Sequence, residues 1–314
     1  TEGDNWAIFG TAQGYQRQGG HIITTATEHP AVKKPLEALQ AQGYDVTWLC
    51  VNRAGHIDLQ ELEKAIRKDT ILVSSILVNN ETGTIQNAVE MGSIIKQKNE
   101  NTLFHVDAVQ AFGKYPIDVQ KMNIDLLTMS GHKINGPKGV GMLYKREGLK
   151  VKPYILGGGQ QQGQRSGTEN GAGAAALGVA AEICFQNMQK NHDNALQIKR
   201  ILSEGILEEI ADTQINGDTL EKASPYVLNV TFKGIRSQVL LHALESKDIF
   251  VSAGSACDSK KKVGSAVLEA MGLAFSEIEG AVRFSFCQYN TVEEAKQCLE
   301  QLKEIVPFLR KYNR

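Results

Sequence analysis

Two residues define the chemistry this chain could perform. Lys133 stands in the run Ser130-Gly131-His132-Lys133-Ile134-Asn135-Gly136-Pro137-Lys138-Gly139, directly after an apolar stretch, and Asp107 closes an earlier apolar stretch. A primary amine framed by glycines can form a Schiff base with a carbonyl cofactor. A carboxylate can keep a pyridine nitrogen protonated, so that the ring draws electrons. These are two of the demands that pyridoxal phosphate makes of a protein. The third is a phosphate cradle, which Ser130, His132 and a helix starting at Thr1 could supply. Further polar sets follow apolar runs in the same way: Ala26-Thr27-Glu28-His29-Pro30, Asn79-Asn80-Glu81-Thr82-Gly83-Thr84 and Asp107-Ala108-Val109-Gln110. Taken singly, each has a plainer reading. Lys133 and Arg283 would be surface cations, Asp107 a helix cap, Asn80 a turn residue near Gly83, and His29 a structural histidine.

The elements that must hold these residues are legible from periodicity. Residues 21–25, 45–51, 70–78, 103–106, 126–129 and 140–144 read as strands, and the near-continuous apolar run at 70–78 suits a strand covered on both faces. Helical spacing marks 31–42, 58–68 and 89–97, with Thr1, Glu2 and Asp4 ahead of Trp6, Ile8 and Phe9 as a helix start. Strand and helix signals alternate, which predicts a mostly parallel sheet wrapped by helices, an α/β fold. In such sheets ligands sit beyond the carboxyl ends of the strands. Four consecutive strand ends rich in polar groups therefore point to one site. Past about residue 169 the texture changes to long helices at 169–190, 192–212 and 292–311, with strands at 227–232 and 283–286. Two domains are expected, a large one over 1–187 and a smaller α+β one over 188–314.

Composition removes several classes. The 34 basic and 35 acidic residues leave a net charge of −1, which is no footprint of a nucleic-acid binder. Hydrophobic residues at 42% and charged residues at 22% argue against wholesale disorder. No apolar run reaches membrane-spanning length; the nearest, at 171–181, is ended by Glu182. The cysteines Cys50, Cys184, Cys257, Cys287 and Cys298 are odd in number and widely spaced. No metal site or disulfide framework is expected, and reduced thiols in the cytoplasm are.

With these motifs in order, together with Arg165-Ser166-Gly167-Thr168-Glu169-Asn170 and Ser252-Ala253-Gly254-Ser255-Ala256-Cys257, the chain resembles the cysteine desulfurases of the IscS/NifS type, within the class V aminotransferase family. The resemblance implies a fold-type I pyridoxal-phosphate enzyme with a seven-stranded-type sheet. It makes Lys133 the cofactor lysine and proton carrier, Asp107 the partner of the ring nitrogen, and Gln110 the partner of the ring hydroxyl. His29 would stack on the ring as an acid/base group. Asn80 would reach cofactor and substrate carboxylate, and Arg283, in Val282-Arg283-Phe284-Ser285-Phe286, would grip that carboxylate. Thr1, Ser130 and His132 would bind phosphate, and Thr168 would reach the phosphate in a neighbouring subunit, making a homodimer.

Cys257 decides the reaction that the resemblance implies. Lys260, Lys261 and Lys262 follow it, and positive charge favours a thiolate. The expected substrate is L-cysteine and the products are alanine and a persulfide on Cys257. The sulfur acceptor would be an iron–sulfur scaffold or a tRNA-thiolation enzyme, with no direct nucleic-acid or membrane contact. Two alternatives share the scaffold: selenocysteine lyase or another class V enzyme, and an inactive fragment that only binds sulfur acceptors. The chain is also expected to lack an N-terminal segment that the family places before Thr1, part of the phosphate cradle included. Gln161 and Gln162 depart from the family's pattern near the dimer-facing loop, and Cys287-Gln288 departs from it after Arg283.

Overall fold

The structure, a computed structural model, describes residues 1–253 and 264–312. The elements run α1 (Glu2–Tyr15), β1 (His21–Thr25), α2 (Pro30–Ala41), β2 (Asp45–Leu49), α3 (Leu59–Ala65), β3 (Thr70–Ile76), α4 (Ala88–Lys98), β4 (Leu103–Asp107), β5 (Leu126–Ser130) and β6 (Gly141–Lys145). There follow α5 (Gly171–Gln186), α6 (Met188–Glu209), β7 (Thr213–Asn216), β8 (Val227–Phe232), α7 (Ser237–Glu245), β9 (Ser252–Ala253), α8 (Ala266–Ala270), α9 (Phe275–Glu279), β10 (Ala281–Ser285) and α10 (Val292–Tyr312).

Two compact units result. The first comprises Thr1–Cys50, Ile57–Val78 and Gln86–Met188. The second comprises Val51–His56, Asn79–Ile85 and Gln189–Arg314, so it is not one continuous stretch: two short segments from the first half of the chain belong to it. A single division at 187/188 does not capture those segments.

The first unit is built on a six-stranded sheet in the order β2-β1-β3-β4-β5-β6. All neighbours are parallel except β5 and β6, which are antiparallel. The sheet has six strands among the described residues, where the resemblance implies a seven-stranded type. Every residue of β1, β3 and β4 is buried, as both-face coverage by helices requires. The chain runs from β1 outward to β2 and then crosses back to β3 on the other side. The carboxyl ends of β1 and β3 therefore flank a topological switch point, where ligand crevices form in open sheets.

Helix α1 buries Ala7, Ile8 and Ala12 against Ile22, Leu36 and Leu72. It approaches the segment after β6 closely enough for backbone contact: Lys152 N donates to Gly10 O at 3.0 Å and Trp6 Nε1 to Lys152 O at 2.9 Å. Glycines one turn apart make this possible. A Cβ on Gly14 would stand 1.9 Å from the Lys150 carbonyl oxygen, and one on Gly10 2.6 Å from that of Lys152.

The second unit has an antiparallel sheet, β7-β8-β10-β9. Its core joins Ile198, Leu202 and Ile206 of α6 to Val230 and Phe232 of β8, Leu240 and Leu244 of α7, and Leu302 and Val306 of α10.

The structure departs from the sequence expectations in local ways. The helix expected over 58–68 ends at Ala65, because Ile66 turns to extended backbone (ψ 122°) before the Arg67–Asp69 ion pair. The expected 169–190 helix stops at Asn187 and a new helix starts at Met188. Helix α7 and strand β7, unassigned from sequence, are both short. No helix among the described residues is long and apolar enough to cross a membrane.

The close seat of α1 gives a prediction with an inverted sign. Glycine to alanine inside a helix ordinarily stabilises by about 1 kcal/mol. Gly14→Ala is expected instead to destabilise by about 1–3 kcal/mol, as overpacking does. Urea unfolding of the variant beside the parent chain measures the difference.

Candidate active site

Strand β4 ends in Asp107, a residue only 2% exposed. One oxygen, Oδ1, accepts the Val109 N–H at 2.9 Å, the turn role that a plain reading would give it. Among the described residues it makes no ion pair. Loss of water, and then the charge of Asp4 on α1, push its carboxyl well above the usual carboxylate range. A buried carboxylate of this kind gains most from a ligand that brings a positive N–H.

Strand β5, next to β4, delivers Lys133. The strand ends in Ser130, and a 3₁₀ turn, Gly131–Ile134, carries His132 and Lys133. The turn is closed by Gly136 N donating to Gly131 O at 2.9 Å and fixed to the sheet by Gly131 N donating to Val140 O at 2.8 Å. Asn135 ends it in the left-handed region (φ 60°), which asparagine tolerates better than most residues. Lys133 and His132 are exposed. Ser130 Oγ lies 2.8 Å from His132 Nδ1, so the hydroxyl and imidazole act as a pair. Partial burial, then the positive charges of Lys133 and Lys138, lower the His132 pKa.

His29 follows β1 and caps α2. Its Nδ1 accepts the Ala31 N–H at 3.1 Å. An accepting Nδ1 puts the proton of the neutral ring on Nε2. Loss of water, with the charge of Lys133 adding to it, lowers the His29 pKa and so favours the neutral ring. Thr1 is the exposed N-cap of the 14-residue helix α1, and its side chain makes no capping bond. Gln110 Oε1 accepts from Lys114 Nζ at 3.2 Å.

Asp107, Lys133, Ser130, His132, His29 and Thr1 thus belong to one unit, at strand carboxyl ends or a helix start. The donor set fits pyridoxal phosphate. A buried anion suits the ring nitrogen, an amine the aldehyde, and a neutral imidazole the ring. Hydroxyls and a helix N-terminus suit the phosphate.

Thr168 belongs to the same unit and is exposed in the 157–170 loop. That loop is tied to α1 by Arg165, whose Nε and Nη2 donate to Glu2 Oε1 and Oε2 at 2.8 and 3.3 Å. Gln160 Oε1 accepts the Gly167 N–H at 3.0 Å, while Gln161 and Gln162 are held at φ 51° and 56°. Such backbone is unusual for residues other than glycine.

The second unit brings Asn80 and Arg283 together. Arg283 Nη1 donates to Asn80 O at 3.0 Å and Nη2 to Ser252 Oγ at 3.1 Å, while Nε is buried with no partner among the described residues. Glu81, next to Asn80, accepts from Ser265 Oγ, and Ser265 in turn caps α8 through Leu268 N at 3.1 Å. Burial raises the Glu81 pKa against the opposing pulls of Ser265 and Arg283. Cys257, with Lys260, Lys261 and Lys262, lies outside the described residues.

Sequence reasoning passed over Asp4, Glu28, Glu81, Ser252 and Ser265. Glu28 and Glu81 stood in the strand-end sets already singled out. The signal that would have found Glu28 and Glu81 is an acid a few residues after a fully buried strand, where solvent is scarce.

The aminotransferase class-V family model matches residues 1–298. The cysteine desulfurase IscS of Methanosarcina thermophila is 44% identical over 310 residues, covering 99% of this chain and 76% of the relative. A cysteine desulfurase of Nostoc sp. is 42% identical over 310 residues, with the same two coverages of 99% and 76%. Among solved structures, a NifS-like protein superposes with a TM-score of 0.91 at 37% identity, over 98% of this chain and 80% of that one. SspA in complex with cysteine gives a TM-score of 0.78 at 34% identity, over 92% and 80%.

The raised Asp107 pKa fixes a direction for stability. Between its unfolded value, near 4, and its higher folded value, the folded chain holds more protons than the unfolded one. The contribution of Asp107 is therefore fully present below about pH 4 and is lost as pH rises through the folded value. Thermal unfolding of the cofactor-free protein is expected to show the parent chain losing stability relative to Asp107→Asn as pH is raised from about 4 towards neutrality.

Proposed function

The chain belongs to the aminotransferase class-V family, and we propose that it acts there as a pyridoxal-phosphate-dependent cysteine desulfurase. It takes sulfur from L-cysteine and leaves alanine and a persulfide on Cys257. The observation that carries this reading is Asp107: a buried carboxylate that makes no ion pair among the described residues, one strand from the turn that presents Lys133.

Bound pyridoxal phosphate supplies an electron sink for negative charge at the α-carbon of the substrate. The chain supplies the rest. Asp107 holds the ring nitrogen and Gln110 the ring hydroxyl. Ser130, His132 and Thr1 hold the phosphate. Lys133 would anchor the cofactor and carry the α-proton of the substrate, while His29 would offer Nε2–H towards the ring. Arg283 binds the substrate carboxylate, with Asn80 beside it. Its guanidinium is already oriented by Asn80 O and Ser252 Oγ, so little order remains to be imposed when a carboxylate arrives.

The Cys257 thiolate attacks the sulfur of the substrate. An S–S bond forms as the C–S bond breaks, and the electron pair stays with the carbon fragment, which takes up protons and leaves as alanine. Two of the other cysteines suit this task less well. Cys184 and Cys298 are buried, and burial raises both thiols, that of Cys298 to about 12. Neither offers a thiolate at neutral pH.

A homodimer accords with two features. Thr168 is exposed in a loop braced by Arg165. Helix α5 carries Val179, Ile183 and Phe185, each at least half exposed (56, 52 and 50%), more apolar surface than a solvated helix usually shows. The acceptor is a sulfur-handling protein of iron–sulfur assembly or tRNA thiolation, in the reducing cytoplasm.

The test is to incubate the chain with pyridoxal phosphate, L-cysteine and a reductant and to quantify alanine and sulfide. Equimolar products that vanish in Cys257→Ala and persist in Cys287→Ala are expected. Product from Cys257→Ala would assign a different class V lyase. Arg283→Lys loses the bidentate grip, and the KM for L-cysteine is expected to rise about 10- to 100-fold.

A further inference from the structure

Beside Asp107 lies a second buried carboxyl group that the reaction above does not use. Glu28 is 4% exposed. Strands β1 and β3 pair only as far as Thr24 and Ser74 before they diverge. Beyond that point Glu28 takes the place of the missing strand acceptor. Its Oε1 accepts the Ile76 N–H at 2.8 Å and the Thr25 hydroxyl at 2.7 Å. Ile76 is the register partner of Asp107, and Leu77 N donates to Asp107 O at 2.9 Å. The Glu28 carboxyl group therefore closes the sheet at its switch point, in the row next to Asp107. Its other oxygen, Oε2, is buried with no hydrogen-bond partner among the described residues.

A third carboxyl group faces the same volume. Asp4 of α1 is 1% exposed, and its Oδ1 also lacks a hydrogen-bond partner among the described residues, 3.7 Å from His105 Nε2. His105 bonds Ser74 Oγ at 2.8 Å and Thr128 Oγ1 at 3.0 Å, and burial pushes its pKa down to about 3. It brings no positive charge. The charges whose field reaches Glu28 are Asp107 on β4 and Asp4 on α1, both repulsive.

Three carboxylates cannot all be ionised in one buried volume. Ionised Glu28 would leave a bare oxygen out of water, which is costly, whereas the neutral acid keeps both hydrogen bonds at Oε1. We propose that Glu28 is a positioning residue of the cofactor site, a carboxylic acid that stays neutral so that the sheet is closed beside Asp107 without a second negative charge competing for the ring nitrogen. This rests on the cofactor role of Asp107 given above. Burial is the main cause that raises the Glu28 pKa to about 8, with Asp107 and Asp4 adding to it, and the two bonds at Oε1 only partly oppose them.

The test uses Glu28→Gln, which keeps an acceptor for Ile76 N and Thr25 and cannot ionise. Infrared difference spectra of the cofactor-free protein at neutral pH are expected to show a protonated-acid carbonyl band in the parent that is absent in the variant. In the parent the band should titrate away near pH 8. A carboxylate band in its place overturns the proposal, and if the variant does not fold, carboxyl-13C labelling of glutamate in the parent, which separates its band from those of Asp107 and Asp4, decides this.

The second readout is the pH dependence of pyridoxal phosphate affinity and absorbance in the holoprotein. The variant should match the parent within about twofold at neutral pH and lack the alkaline weakening that Glu28 ionisation gives the parent. A loss of about tenfold at neutral pH in a folded variant, or an unchanged alkaline limb, overturns the proposal. A parent chain that binds no cofactor counts against the desulfurase reading, while the infrared titration still decides the state of Glu28.

Discussion

Burial of one carboxylate at the end of a central strand is the constraint on which the first unit is organised. A carboxyl group in an apolar interior prefers to be neutral, and an unpaired ionised one costs several kcal/mol. Asp107 is placed where that cost is highest, on a strand with every residue buried. The chain then provides it with little that would discharge the cost: one backbone N–H and no ion pair among the described residues. A group left in this condition is poised for a cationic ligand. The same low dielectric that penalises it alone strengthens its hold on a protonated ring nitrogen.

Helix α1 is the second requirement. Its first turn must reach the carboxyl ends of the strands, since it carries both Thr1 and Asp4. The Gly10/Gly14 pair seats the helix against the backbone of the segment after β6, while Ala7, Ile8 and Ala12 fix its rotation on the sheet. The Glu2–Arg165 pair then ties the 157–170 loop to the same helix start. That pair is exposed, and such pairs contribute little to stability. Its effect is to restrict where the loop can go. The left-handed Gln161 and Gln162 show that the loop conformation is not the one its own residues prefer.

How much of this was legible in the sequence follows from what kind of signal each part leaves. Strands β1, β3, β4 and β5 were visible because burial on both faces demands runs rich in apolar and β-branched residues. The residues just after them were visible because ligands gather there. Within one unit the structure brings together His29, Asp107, Ser130, His132 and Lys133, all of which the sequence singled out. The partners of these residues were not visible. Asp4 reads as a helix-start acid and Glu28 as one more polar residue before His29, since the sequence does not say that α1 and the Ile76 backbone close over them. Short elements such as α7 and β7 carry too few periods to stand out. The assignment of 79–85 to the second unit is likewise a matter of contacts between segments far apart in the chain, which no local pattern records.

The buried polar groups behind the site also bear on why the core there is not apolar. Ser74, His105 and Thr128 form a hydrogen-bonded row across β3, β4 and β5, with Asp4 beside it. Apolar residues of similar volume would commonly give a core at least as stable. A satisfied polar row does something they cannot, since each hydrogen bond has a fixed length and direction and so fixes strand ends relative to one another more tightly than packing does. His105 and Thr128 sit two residues before Asp107 and Ser130 on their strands, pointing to the same face of the sheet. Their bond at 3.0 Å therefore sets the offset between the strand that ends in Asp107 and the strand that leads into Lys133. On this argument the neutral imidazole of His105 is a spacer: its two nitrogens span three strands, and burial keeps it from bringing a charge that would compete with the ring nitrogen for Asp107.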